Sequence, residues 1–488
     1  MTSKKGPPPV VYLIILFIVG FGGYQALRMF RQPSEPTITP TESESLNNNS
    51  TARETKPTTP TEDSSLSNHF STGDKLLIDS IIQNQTFLDY KKRGIDALAA
   101  KNYPEAVQQF EAALKENRNS PETLIYLNNA RIGEQSAFEI AVTVPVDEET
   151  VYFALEMLRG YAQAQQEINQ AGGINGTPLR LVIADDDDNP DIAMKVAQEL
   201  ANRPEILAVT GHWSSGTTLA VTPIYEKNQL VLVNPVSTST KISQAGDYIF
   251  RTIPSNFVVG ATMADYALNE LQVQQVAIFY DSRSSYSLSL RQEVKTSLAT
   301  RGGRTVAEFD LSQGGILVGE QLKAAQNQGA EAIILIPSPN IDRALQVINV
   351  NNRNLPLIGD IGNLYGIKTL QVGGEDAVGM ALPIPWHIQQ PGSQEFVQTS
   401  RQLWGGDVNW ATVMAYEAMS AIAQALEQNP TREGVQNALS SNGFSAEGVL
   451  QPIKFLPSGD RDGRLIMVEV QPANPSRSGT GYDFVPVN

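Results

Sequence analysis

The fold can be predicted from one stretch, residues 206–240, which reads ILAVTGHWSSGTTLAVTPIYEKNQLVLVNPVSTST. Two apolar runs each end in a turn of small polar residues, at 211–216 and 234–240, and apolar residues between the turns have helical spacing. This order predicts strand, turn, helix, strand and turn. In a parallel sheet the two turns lie side by side at the carboxyl ends of the strands, where α/β proteins bind ligands. Their hydroxyl and N–H groups, at a helix N-terminus, favour a small anion such as a carboxylate.

The composition excludes several classes of function. The chain has 488 residues, which is enough for three or more domains. Its 36 basic and 52 acidic residues give a net charge of −16, so nucleic acid and anionic lipid surfaces are not expected as partners. The chain has no cysteine, which excludes disulfides, thiolate metal sites and a thiol nucleophile.

The N-terminus carries an apolar segment of membrane-spanning character. Residues 10–27, VVYLIILFIVGFGGYQAL, contain no charge and are flanked by Lys4, Lys5, Arg28 and Arg31. This length lies between that of a signal-peptide core and that of a spanning helix. Because no clear small-x-small cleavage motif follows, we predict that residues 1–31 form an uncleaved transmembrane signal-anchor, with a cleaved signal peptide as the alternative.

Two further segments precede the main body of the chain. Residues 32–73 are rich in Pro, Ser and Thr and poor in large apolar residues, which predicts a disordered linker. Residues 74–135 change to helical spacing, and GIDALAAKNYPEAVQQFEAAL (94–114) resembles a tetratricopeptide repeat. Only one repeat and one more helix are present. The segment is therefore predicted either as a docking surface or as a helical hairpin that acts as a spacer or packs on its neighbour.

Strand and helix patterns alternate from residue 138 to the end of the chain. Such alternation predicts parallel sheets covered by helices on both faces, and about 350 residues exceed a single open sheet, so two lobes are expected. A long helix is predicted at 409–427. Hairpin-like strands are predicted at 449–455 and 465–470.

Five sequence blocks in this region carry a family resemblance. They are EINQAGGINGTPLRLVIADDDDNP (167–190), VTGHWSSGTT (209–218), NPVSTST (234–240), YDSRSSYS (280–287) and IKFLPSGDRDG (453–463). In this order they resemble periplasmic substrate-binding proteins of the branched-chain amino acid (Leu/Ile/Val) type, the ligand receptors of ABC importers. The resemblance implies the type I periplasmic-binding fold over residues 138–488, an α/β fold of two parallel-sheet lobes joined by three crossovers, preceded by a small all-α segment.

The resemblance also implies the binding residues of the first lobe. Ser215 and the N–H of Gly216 would hold the carboxylate of an amino acid. Thr238, together with Ser237 in the same turn, would contact the carboxylate and the ammonium group. These residues could also serve only as helix N-caps or turn formers.

The second lobe and an aromatic wall would complete the pocket. Tyr286 would close over the ligand, and Asp360, one position earlier than the family pattern places its acidic residue, would pair with the ammonium group. The apolar wall would come from aromatic side chains, for which the candidates are Phe153, Trp213 and Trp386.

Other chemistries fit the sequence poorly. The acidic run 185–188 lacks the alternating ligands of a calcium loop and suits a strand end before a capped helix, so no metal is predicted. His212 lies near Ser214 and Ser215, but GHWSSG is not a G-x-S-x-G elbow, and a base would have to come from His69 or His387. We therefore predict no catalytic residue and no cofactor.

These observations predict a binding protein and not an enzyme. It would be anchored in the cytoplasmic membrane, with its binding domain in the periplasm or outside the cell, and would capture a small polar ligand, an amino acid or an analogue. An ABC permease would be the protein partner. The alternative is a ligand-sensing receptor or scaffold that regulates a different protein partner.

Overall fold

The computed structural model describes residues 66–78, 84–147, 150–315 and 317–487. The predicted signal-anchor, residues 1–31, lies outside this part of the chain. Among the described helices, none combines the length and the apolar character needed to cross a bilayer.

The helical segment consists of α1 (Gln85–Ala99), α2 (Tyr103–Glu116) and α3 (Pro121–Ile132). Asn84 caps the start of helix α1, and its side chain accepts the Phe87 N–H. Where α1 meets α2, a Cβ on Gly94 would lie 2.5 Å from the Phe110 ring. The small residue at position 94 therefore allows the close helix approach that the spacing predicts. The tetratricopeptide resemblance itself stays a prediction.

Helix α3 joins this segment to the first lobe. Asn129 donates to the Leu181 carbonyl at 2.8 Å and accepts from Gln165 at 2.8 Å, and nearly every side chain of α3 is buried. A buried ion pair between Lys91 and Glu122 ties α1 to α3. The segment therefore packs on its neighbour, and its use as a docking surface stays a prediction.

A short strand corrects the predicted linker. Phe70–Ser71 form β1, which pairs antiparallel with β3 (Leu179–Asp185) through Ala184 and Ile183. Phe70 is only 6% exposed, and the Arg203 guanidinium lies 4.4 Å from the centre of its ring. The prediction of disorder up to residue 73 is therefore wrong from residue 66 onward, because one buried aromatic side chain anchors an otherwise polar stretch.

The first lobe is built on a sheet of six described strands in the order β1-β3-β2-β4-β5-β6. All pairs are parallel except that of β1 with β3. The remaining strands are β2 (Phe138–Val144), β4 (Ile206–Gly211), β5 (Val231–Asn234) and β6 (Ile249–Arg251). The sheet is covered by α4 (Val151–Gln170), α5 (Pro190–Asn202) and α6 (Ser215–Lys227), and later by α11 (Gln394–Trp404), α12 (Trp410–Gln428) and α13 (Arg432–Leu439).

The second lobe has seven described strands in the order β13-β12-β11-β10-β9-β7-β8. They are β7 (Gln275–Tyr280), β8 (Arg304–Asp310), β9 (Ala332–Ile336), β10 (Leu357–Gly359), β11 (Ala381–Ile384), β12 (Ile466–Pro472) and β13 (Tyr482–Pro486). Its helices are α7 (Asn256–Asp265), which a π-helical turn continues, α8 (Ser285–Thr300), α9 (Val318–Asn327) and α10 (Ile341–Asn351). Strand β12 pairs antiparallel with both β11 and β13, so this sheet is mixed.

The chain passes between the lobes three times, at 252–255, 385–393 and 440–465. The two-lobed α/β fold with three crossovers is thus confirmed. The strand predicted at 449–455 is wrong, because this segment forms only single bridges, Ala446 with Ile453 and Phe455 with Arg461. The hairpin partner of β12 is β13 instead, and the polar turn residues 473–481 separate the two strands.

Candidate ligand-binding site

The first polar turn follows β4 and is held rigidly. Gly211 has a φ of 131°, and a Cβ there would lie 2.0 Å from the Thr143 carbonyl oxygen, so the turn requires glycine. His212 also has a positive φ, 59°, and its ring contacts Asp186 at 2.6 Å and Tyr225 at 2.9 Å. These contacts fix the residues that lead into α6.

The second polar turn follows β5 and is joined to the first. The Asn234 amide donates to the carbonyl oxygens of Gly211 (2.6 Å) and His212 (2.9 Å). The Ser215 hydroxyl oxygen accepts the Ser239 N–H at 3.3 Å. The two turns therefore lie side by side, as the sequence predicts, and the Ser215 hydroxyl proton stays available to a ligand.

Ser237 supports the turn. Its hydroxyl lies 2.8 Å from the Thr218 hydroxyl and donates to the Trp213 carbonyl at 3.0 Å. Both contacts are within the protein, which leaves no free proton on this side chain. The Ser237 hydroxyl therefore holds the two turns together, and its role as a ligand contact stays a prediction.

The second lobe meets the first at these turns. The Thr238 carbonyl accepts the Asn256 N–H at 2.6 Å, and the Asn256 amide donates to the Tyr286 carbonyl at 3.3 Å. Thr240 and Ser289 are also in contact, at 3.0 Å from the Thr240 nitrogen to the serine hydroxyl. Residues of both lobes are therefore in contact at these turns.

Three buried polar atoms of these residues have no hydrogen-bond partner in the protein, namely Thr238 Oγ1, Ser239 Oγ and Asn256 Oδ1. Tyr286 Oη and Asp360 Oδ2 also lack a well-aligned partner, although these two side chains interact with each other. Buried polar atoms are nearly always paired, and leaving one unpaired costs about 1–3 kcal/mol. A group of such atoms from two lobes is what a polar ligand would satisfy. Sequence analysis missed Ser239 and Asn256, because no sequence motif separates them from ordinary turn residues.

Asp360 is the acidic member of this group. A Cβ on Gly362 would lie 3.2 Å from Asp360 Oδ2 and 3.4 Å from the Tyr286 ring, so the two side chains are neighbours. Burial raises the pKa of Asp360 to about 7. Burial, followed by the charge of Asp360, also raises the pKa of Tyr286 well above its usual value. A cation beside Asp360 would stabilise its ionised form.

The predicted aromatic wall is present in part. The rings of Phe153 and Trp213 stack with centres 4.0 Å apart and planes 14° from parallel, beside the first turn. Trp386 is different: it lines a separate cavity among the crossovers, with Thr252, Met414 and Arg461. The prediction that Trp386 belongs to the same wall is not supported, since the second crossover places it in that cavity.

The acidic run serves the fold. Asp186 bonds His212, Asp188 accepts the Thr217 hydroxyl at 2.8 Å, and Asn189 caps α5 as predicted. Neither ring nitrogen of His212 contacts a serine, which leaves the hydrolase alternative without support. His69, Asp185 and Asp187 do place ligand atoms within 4.8 Å of one another, an arrangement that could hold a metal ion. Sequence analysis missed it because His69 lies 116 residues before Asp185.

Comparison with known sequences gives consistent results. A family model described as periplasmic binding protein matches residues 138–473. An amino acid binding protein from Pseudomonas aeruginosa is 31% identical over 176 residues, which cover 36% of this chain and 47%, about half, of that protein. The Leu/Ile/Val-binding protein of Escherichia coli K12 is 26% identical over 336 residues, which cover 67% of this chain and 88% of that protein. These relatives are binding proteins rather than enzymes, as predicted.

Solved structures agree on the fold. An ABC transporter substrate-binding protein from Desulfitobacterium hafniense, 25% identical, has a TM-score of 0.62 and covers 72% of this chain and 100% of its own. A solute-binding protein from Rhodopseudomonas palustris in complex with 4-hydroxybenzoate, 15% identical, has a TM-score of 0.63 and covers 72% of this chain and 96% of its own. Proteins with this fold thus bind chemically different ligands, so the fold alone does not determine ligand specificity, which depends on the side chains of the site.

Proposed function

This chain belongs to the periplasmic binding protein family, and we propose that it captures an amino acid or a close analogue outside the cytoplasmic membrane. The observation that supports the proposal is the set of buried polar atoms from both lobes that have no well-aligned hydrogen-bond partner in the protein. Capture is reversible, and it works through closure of the lobes without chemical change.

The chemistry of the site matches a zwitterion. The carboxylate would accept from the Ser215 and Thr238 hydroxyls and from the N–H of Gly216 at the start of α6, where the helix dipole favours an anion. The ammonium group would donate to Asp360 Oδ2 and Asn256 Oδ1. The Phe153–Trp213 pair would contact the ligand side chain. Charge-assisted hydrogen bonds of this kind contribute about 1.5–3 kcal/mol each.

The test is calorimetric titration of the full-length protein with the common amino acids. Saturable binding of one chemical class of amino acid, with one site per chain, supports the proposal. If none of them binds and a carboxylate without an ammonium group binds instead, the zwitterion assignment is wrong.

Replacing Thr238 by valine should weaken ligand binding about tenfold, because it removes one hydrogen bond to a charged group at nearly constant shape. Ser215→Ala should have an effect of similar size. The matched control is Thr305→Val in β8, where another buried hydroxyl without a partner lies outside the site. Titration calorimetry of all three variants is the measurement. Equal affinities for Thr238→Val and Thr305→Val would contradict the assignment of Thr238.

Ligand binding should weaken as the pH falls below about 7. The pKa of Asp360 is raised to about 7, and a ligand ammonium group needs the ionised carboxylate. Affinity should therefore fall about tenfold for each pH unit below that value. The raised pKa of Asp360 also affects the stability of the ligand-free protein. As the pH rises from about 4 to about 7, the unfolded chain releases the Asp360 proton before the folded protein does, so the folded protein loses stability. Affinities measured from pH 5 to pH 8 test the first effect, and in Asp360→Asn the slope should disappear.

We further propose that residues 1–31 anchor the protein to the cytoplasmic membrane and that an ABC permease receives the ligand. Support comes from the uncharged run at 10–27 and from the relatives, among them the Leu/Ile/Val-binding protein. Deleting the gene and following uptake of labelled amino acids tests the transport role. Unchanged uptake with an altered nutrient response would favour the alternative, a sensor or scaffold that regulates a protein partner.

A further inference from the structure

A second polar cavity lies among the crossovers. It has a volume of ≈ 30 Å³, and all three crossovers contribute to its walls, through Thr252 from the first, Trp386 from the second and Arg461 from the third. Glu417 of α12 adds to the same lining. None of these four residues belongs to the group of unpaired atoms assigned above to the zwitterion.

Three side chains of this cavity are almost completely buried and incompletely paired. Trp386, Glu417 and Arg461 are 1%, 2% and 4% exposed. Two donors, the Trp386 Nε1 and the Arg461 Nη1, have no hydrogen-bond partner, and the Glu417 Oε2 has only the Arg461 guanidinium beside it. Because buried donors are nearly always paired, two such atoms around one cavity point to a bound species.

The charges favour an anion. Glu417 Oε2 lies 3.2 Å from Arg461 Nη2, so its charge is compensated, and its other oxygen accepts the Val449 N–H at 2.9 Å. The two remaining atoms, Trp386 Nε1 and Arg461 Nη1, are both donors. Arg464 also lines the cavity and is exposed. Two arginines and one glutamate leave one net positive charge on the lining.

The volume limits the size of the occupant. About 10–15 Å³ of such space is enough for one water molecule, so this cavity has room for a small ion together with a water molecule. We propose that this cavity binds a small monovalent anion such as chloride, held by the indole N–H of Trp386 and the guanidinium of Arg461. Such an ion connects the second crossover to the third and neutralises the excess charge between them.

The test follows the heat-unfolding midpoint of the full-length protein as chloride replaces gluconate at constant ionic strength. Chloride should raise the midpoint by about 2 °C at ten times its Kd. Trp386→Phe keeps an aromatic ring and removes the donor, so its Kd for chloride should rise about tenfold. Trp404→Phe is the matched control, because the Trp404 Nε1 is also buried without a partner and Trp404 does not line the cavity.

Two results would overturn the proposal. One is an equal chloride response in wild type, Trp386→Phe and Trp404→Phe. The other is a crystal grown in bromide whose anomalous map shows no peak between Trp386 and Arg461, which would mean that the cavity holds water only. Should Trp386→Phe fail to fold, Arg464→Gln at the exposed rim serves instead: a weaker chloride response supports the proposal, and an unchanged one contradicts it.

Discussion

Asp360→Asn is expected to weaken amino acid binding by about 100-fold or more while the protein stays folded. Removing one partner of a buried charge pair costs about 2–5 kcal/mol, and here the lost partner would be that of the ligand ammonium group. The ligand-free protein should be about as stable as wild type, because asparagine has nearly the same shape and burial already disfavours the charged form of Asp360. Titration calorimetry and heat unfolding measure the two effects separately.

The control for this variant is Asp483→Asn in β13. Asp483 is also buried, but its carboxylate accepts the N–H groups of Arg477 and Ser478, each at 2.9 Å. We therefore expect lower stability and unchanged affinity, the reverse of the result at position 360. Loss of stability without loss of affinity in Asp360→Asn would show that Asp360 supports the fold and does not bind the ligand.

Gly160→Ala is expected to have the largest effect on stability. A Cβ at position 160 would lie 2.2 Å from the Thr412 carbonyl oxygen and 2.7 Å from the Tyr416 nitrogen, both backbone atoms of α12. Backbone atoms cannot rotate away, so α4 and α12 must separate along their length. The free energy of unfolding should fall by about 3 kcal/mol or more, as denaturant titration of the full-length protein would measure.

Gly319→Ala is the matched control. Gly319 also lies in a helix, and the nearest atom to its added Cβ would be Val350 Cγ1 at 3.9 Å. This variant should be as stable as wild type or slightly more stable, since alanine restricts the unfolded chain. Equal stability of the two variants would mean that α4 and α12 are not held as closely as the structure shows.

The first lobe could be predicted because the hydrophobic pattern of each segment matches the strand or helix that the segment forms in the fold. Residues 206–240 form β4, α6 and β5 with the turns where the alternation places them, and the Ser215–Ser239 hydrogen bond joins the turns. The long α12 was predicted at 409–427 and runs from Trp410 to Gln428.

The features that could not be predicted depend on contacts between distant residues. Phe70 pairs with a strand more than a hundred residues later, and no local period marks a two-residue strand. Asn256 becomes part of the site only because the first crossover brings it beside Thr238 and Tyr286. Trp386 could be recognised as a large aromatic residue, but its position depends on how all three crossovers fold together.

The attachment of α1–α3 and β1 to one lobe determines how force passes through the molecule. A pull on the chain before residue 66 enters at β1, whose partner is β3, and spreads through α3 into the six-stranded sheet. The seven-stranded sheet is reached only through the three crossovers and the contacts at the polar turns. When the first lobe is the part that is held, tension on the N-terminus should therefore leave the grip on the ligand unchanged, and a dye on α2 would serve as a fixed reference for motion of the second lobe.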